Sequence, residues 1–172
     1  MNLKKRRVSL TDILLILLKP DNIVADPYFP SVLRENTEIQ AEFGADNTET
    51  FEYEYLEWTI AFKPDQIYDD MILEFKTMRP YTKGEEQMEF AYLQGLLQAY
   101  MMGKPKFKIA IVYYNPSTGE KILKKEVVFQ TDKQEAERCL EEAIHRLEEL
   151  RRILSNKIKV NIPIIEGNEG MT

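Results

Sequence analysis

Hydrophobic and polar positions alternate with two different periods along this chain, and the changes of period mark its elements. The run from Leu10 to Leu18 is almost wholly apolar. Ser9 and Asp12 give it a capping-box-like start, and Pro20 lies just past its end, so it predicts a helix. It looks briefly like a signal peptide, but Asp12 interrupts it, no small-residue cleavage site follows, and it is too short to span a bilayer. A proline-punctuated loop, DNIVADPYFP, leads to a second helix from about Ser31 to Phe43, with Val32, Ile39 and Phe43 on one face and Gly44 at its end. From Phe51 the period falls to two. FEYEYLEWTIAF alternates aromatic or apolar with acidic residues, as a strand with one face in solvent does. MILEFKTM predicts a further strand after a turn at Tyr68, Asp69 and Asp70.

The helical period returns in GEEQMEFAYLQGLLQAYMMG, where Met88, Ala91, Tyr92, Leu96, Ala99 and Met102 share a face and Gly103 and Pro105 stop the helix. FKIAIVYY and EKILKKEVVF flank the turn NPSTG as a hairpin. Asp132 and Glu135 cap a long amphipathic helix over about 132–156, with Ala136, Cys139, Leu140, Ile144, Leu147, Leu150 and Leu154 facing inward. The tail 157–172 adds at most one short strand. The expected order is α, α, β, β, β, α, β, β, α, a single α/β domain over 1–172 with a mixed sheet. Lys4, Lys5, Arg6 and Arg7 within residues 1–8 read as a mobile basic arm.

Composition narrows the function classes. With 172 residues, 44% hydrophobic and 30% charged, the chain can bury one real core and is neither disordered nor membrane-like. High charge with only seven glycines suits a heat-adapted protein. The net charge of −6 means that any nucleic acid must be held by a local basic patch rather than by bulk attraction. Cys139 is the one cysteine, which excludes an intrachain disulfide, a zinc ribbon and an iron–sulfur cluster on this chain's own thiolates, and fits a reducing, cytoplasmic setting. His145 is the one histidine, on the last helix, so a Ser-His-Asp triad, an HExxH zinc site and a two-histidine nuclease are excluded. No glycine-rich phosphate loop is present, which argues against a nucleotide cofactor.

The segment PDQIYDDMILEFK, Pro64 to Lys76, carries the candidate chemistry. Glu74 and Lys76 are two apart and share one strand face, while Phe75 points the other way, into the core. Asp65 is nine residues before Glu74 across a tight turn, so the two carboxylates can converge from neighbouring strands. Two carboxylates and a backbone carbonyl make a hard oxygen site suited to Mg²⁺ or Mn²⁺. A lysine beside them can hold the attacking water and neutralise a phosphoryl oxygen. The plain alternative is a solvated hairpin in which Glu74 and Lys76 pair on the surface. The apolar neighbours Ile72, Leu73 and Phe75 speak for a central strand, where unused charges are costly.

Pro64-Asp65, eight residues, then Glu74-Phe75-Lys76 resembles the signature of the PD-(D/E)xK phosphodiesterase superfamily. The resemblance is closest to its RecB-like branch, which includes the CRISPR-associated RecB-like nucleases, and runs from about Ser9 to Phe129. It implies a restriction-endonuclease-like fold, α/β with a mixed central sheet flanked by helices, and DNA as substrate, single-stranded or at its ends. It also implies Mg²⁺ or Mn²⁺ on Asp65, Glu74 and the Phe75 carbonyl, Lys76 as catalytic lysine, and Gln94 on the next helix supporting it. The chain departs from the branch pattern twice. RENTEIQA keeps Thr37 but has Asn36 for the glycine and Gln40 for the metal-binding histidine, with Glu42 as a substitute acid. Gln98 stands for the tyrosine of the Gln-x-x-x-Tyr helix, with Tyr100 two residues on. The cluster-binding cysteines of many CRISPR-associated members are absent, as would suit a trimmed, virus- or plasmid-encoded relative. A catalytically silent DNA-binding or assembly protein on the same fold is the rival reading, and a plain interaction module the third.

Arg79, Lys83 and Lys104, with Lys106 and Lys108, are candidates for holding a DNA backbone, although the last three could equally guard a strand edge. Tyr28, Tyr81 and Tyr92 could stack on unpaired bases, and core packing explains Tyr92 as well. The final helix either packs only on its own sheet or also forms a homo-oligomer seam.

Overall fold

The period-two stretches fold as two mixed sheets rather than one. A computed structural model describes residues 1–18, 30–81 and 84–161. Its elements are β1 (Arg7–Ser9), α1 (Leu10–Leu18), α2 (Pro30–Glu42), β2 (Phe51–Tyr55), β3 (Trp58–Phe62), β4 (Gln66–Ile67), β5 (Met71–Met78), α3 (Gly84–Met101), β6 (Lys106–Asn115), β7 (Glu120–Gln130) and α4 (Lys133–Asn161). One sheet has the order β1-β3-β2 and the other β4-β5-β6-β7. In the second, β5 and β6 run parallel while β4 and β7 are antiparallel to their neighbours.

Three expectations need correcting. FEYEYLEWTIAF is a hairpin, β2 to β3, turning at Leu56 and Glu57, whose φ angles of 47° and 70° are both left-handed. Such a two-residue turn usually announces itself by Asn-Gly or Asp-Gly, and a Leu-Glu turn leaves no such signal. The basic arm is not mobile: Arg7–Ser9 pairs in parallel with β3, the Arg6 Nε donates to Glu148 at 2.8 Å, and Arg7 is salt-bridged to Glu52. The final helix continues to Asn161, so the tail's first residues are helical rather than a strand.

The capping box of α1 forms as expected, the Asp12 amide donating to Ser9 Oγ at 3.1 Å and the Ser9 hydroxyl to Asp12 Oδ2 at 2.8 Å. One large core joins both sheets to the helices, with Ile13, Trp58, Leu96, Phe107 and Leu140 all buried in it. Trp58 is tied to α4 by its indole N–H, which donates to Glu148 Oε1 at 2.8 Å. A smaller cluster of Ile39, Leu73, Phe75, Ala110 and Val112 covers the other face of β5 and β6 with α2. Strand β5 is therefore buried on both sides. By contrast β7 is the edge strand, and most of its residues are exposed.

α3 lies so close to β6 that a Cβ on Gly95 would sit 2.5 Å from the Phe107 ring. Helix propensity favours Gly95→Ala by about 1 kcal/mol, but the clash opposes it. The variant is expected to lose about 1–3 kcal/mol of stability in urea unfolding.

Candidate active site

Strand β4 contributes only two residues to the ladder, Gln66 opposite Leu73 and Ile67 opposite Ile72. Beyond Gln66 the chain leaves β5, and side chains take over the pairing. The Asp65 amide donates to Glu74 Oε1 at 3.1 Å, and the Phe75 amide donates to Asp65 Oδ2 at 2.8 Å. The Asp65 amide thus holds the Glu74 carboxylate, and the amide of the next residue, Phe75, holds that of Asp65. A strand residue's N–H and C=O point to the same side, so the Phe75 carbonyl opens toward the same edge. Pro64-Asp65 is pinned from behind by Asn47, whose amide donates to Asp65 O at 3.0 Å and whose side chain donates to Pro64 O at 2.7 Å.

Lys76 lies on the Glu74 face, toward α3. Its Nζ donates to Gln94 Oε1 at 2.5 Å and stands 5.1 Å from the centroid of the Phe90 ring. Asp65, Glu74, Phe75, Lys76 and Gln94 are therefore brought together in one cluster. Its electrostatics are strained. Glu74 is only 2% exposed, and burial, then repulsion from Asp65, pushes its carboxyl well above the ordinary carboxylate range. Burial raises Asp65 as well, offset in part by the Phe75 amide, Lys76 and Lys63. Burial lowers Lys76, opposed by the two carboxylates.

The α2 candidates do not join this cluster. Gln40 Nε2 donates to Thr77 Oγ1 at 3.1 Å, on the strand face opposite Glu74 and Lys76, and Glu42 is paired with Lys121 Nζ at 3.0 Å. Among the described residues no group of three or more His, Cys, Asp and Glu side chains gathers where it could hold a metal. The donor set is two carboxylates plus a carbonyl. Paired, desolvated carboxylates with raised pKa values are the groups that a divalent cation relieves, so the residues present fit Mg²⁺ or Mn²⁺.

The basic candidates are mostly occupied. Arg79, its side chain 6% exposed, is salt-bridged to Glu35 at 2.6 Å and lies over the Tyr114 ring, which locks α2 to β5 instead of offering a cation to DNA. Lys104 reaches Asp69 O at 3.0 Å, at the β4–β5 turn. Lys106 and Lys108 pair with Asp70 and Glu126. Tyr92 packs on Phe107 and Phe129 in the core, whereas Tyr81 is 75% exposed. Lys83 and Tyr28 lie outside the described residues, and His145 is exposed on α4. Lys63, Asn47 and Phe90 were missed from the sequence. Lys63 could have been suspected from its place one residue before Pro64-Asp65, but nothing local marks the other two.

No protein-family model matches the chain, and no curated protein does. Solved structures do. The fold is restriction-endonuclease-like, and the matches include an alkaline exonuclease (LHK-Exo) from Laribacter hongkongensis in complex with dAMP, at 13% identity and a TM-score of 0.51, covering 92% of this chain and 96% of that one. A phage-related exonuclease from Haemophilus somnus 129PT matches at 12% identity and a TM-score of 0.50, covering 86% and 81%. At such identities the likeness is one of fold.

The raised carboxyls have a consequence for stability. An acid whose folded pKa exceeds its unfolded value binds more protons in the folded state, so its contribution is complete below the unfolded value and is lost as pH rises through the folded one. For Glu74 the loss starts near 4.5, and for Asp65 near 3.8. Thermal melts without metal should show Glu74→Gln gaining stability relative to wild type as pH is raised above about 4.5.

Proposed function

We propose that this chain is a metal-dependent deoxyribonuclease that hydrolyses DNA phosphodiester bonds at strand ends, in the manner of the RecB-like nucleases. The observation that carries this reading is the pairing of Asp65 and Glu74 through backbone amides beside a half-buried Lys76 that is fixed by Gln94. Charges so placed cost stability and serve no packing role, as is common at catalytic sites. The likeness of fold to two exonucleases supports the same reading.

Asp65, Glu74 and the Phe75 carbonyl would hold Mg²⁺ or Mn²⁺, which when bound supplies Lewis-acid activation of water and neutralises charge on the phosphate. The Lys76 ammonium would orient the attacking water and stabilise the oxygens that gain charge in the transition state. Gln94 would keep that ammonium aimed, and Phe90 beneath it would exclude water. Gln40 and Glu42 are left out of the metal site, each being engaged elsewhere. Lys63, whose charge already acts on Asp65, would meet the DNA backbone at the mouth of the site.

End-labelled single- and double-stranded DNA, incubated with Mg²⁺, Mn²⁺ or EDTA, tests this directly. Cutting should require metal and fall about 100-fold or more in Lys76→Ala, with the variant still folded by circular dichroism. Absence of cutting in either metal would leave a DNA-binding or assembly protein on the same fold. Independently, Mn²⁺ should raise the Tm of the wild type and not that of Asp65→Asn, because only the former keeps both carboxylates.

A further inference from the structure

One turn after Gln94, α3 carries Gln98, only 1% exposed, and its Oε1 has no hydrogen-bond partner. A buried amide oxygen without a partner is costly and calls for an explanation. Gln98 lines a cavity of about 280 Å³ whose other walls include Ser9, Leu10, Phe62, Lys63 and Gln94. The cavity therefore adjoins the Lys76 cluster twice, through Gln94, which holds Lys76, and through Lys63, two residues before Asp65.

The lining narrows the occupant. Leu10 and Phe62 present apolar surface, and Gln98 presents an amide, which offers a donor and an acceptor side by side. A flat group with apolar faces and a donor–acceptor edge complements such walls, and a nucleobase has both. A phosphate has no hydrogen to give and leaves the Oε1 acceptor unsatisfied. The volume lies just below the usual range of small-molecule pockets, about 300–1,000 Å³, which suits one base rather than a dinucleotide. We propose that this cavity seats a nucleobase of the DNA strand next to the bond being cut, with Gln98 hydrogen-bonding its edge. This rests on the nuclease reading only for the identity of the strand. It makes Gln98 a substrate-positioning residue at a place where the RecB-like pattern has tyrosine.

Binding in EDTA tests the pocket without cleavage. A partial duplex with a single-stranded end is titrated by fluorescence anisotropy, with one abasic residue walked through the overhang and the first pairs. Wild type should show one position at which the missing base weakens binding about tenfold. Gln98→Met, which keeps the length of the side chain, should bind intact DNA about that weakly and ignore the abasic residue at that position. Its Tm should rise by about 2–4 °C, because an unpaired amide oxygen is removed. Equal tolerance at every position, a position effect kept in Gln98→Met, a lowered Tm, or no DNA binding at all would each overturn the proposal. Adding Mg²⁺ afterwards separates the two readings. A protein that binds in this pattern without cutting keeps the pocket and loses the nuclease, and one that cuts with no position effect does the reverse.

Discussion

The repulsion between Asp65 and Glu74 is the constraint around which the middle of this fold is arranged. Two carboxylates that share a buried corner each raise the other's cost of ionising, and desolvation adds to it. The structure counters this with the backbone N–H groups of Asp65 and Phe75, with the Lys76 ammonium and with Lys63. None of these works unless β5 is held rigid. Its two faces are therefore packed by different layers, α3 on the side of Glu74 and Lys76, α2 on the side of Leu73 and Phe75.

The shortness of β4 matters as much as the burial of β5. A full-length neighbour would have paired the Phe75 amide and carbonyl by backbone and filled the edge with a strand. Stopping after Gln66 frees that edge, and Asn47 fixes the chain where it departs, so that Asp65 turns its carboxylate back onto Phe75. A ladder has been exchanged for a site. The same logic governs α3: Gly95 lets the helix sit against Phe107, and that closeness brings Gln94 to Lys76.

Charge elsewhere follows a simpler rule. Lys106 and Lys108 pair with acids of their own sheet and its β4–β5 turn, Arg79 reaches across to Glu35 on α2, and Arg6 and Arg7 tie the N-terminus to α4 and β2. These contacts knit elements together at modest gain each. Among the described residues they also leave Lys63 and Lys76 as the cations that act on the paired carboxylates, a division of labour that a count of lysines and arginines does not reveal.

Much was legible in the residues because it depends on short-range geometry. Period and caps located α1, α3, α4 and the β6–β7 hairpin, and two-residue alternation put Glu74 and Lys76 on one face with Phe75 on the other. The β2–β3 turn was hidden because Leu56 and Glu57 are not turn-forming residues, and their left-handed backbone is imposed by the pairing of the strands they join. Which cation is free, which glutamine is paired and which is stranded cannot be read locally either. Gln40, Gln94 and Gln98 are the same residue in three helical contexts, and their partners, or the lack of one, come from elements far away in sequence. The sequence by itself determined the alternation that aims the charged side chains. Only the tertiary structure decided which of them meet, because burial and pairing are set by packing between segments that no local pattern connects.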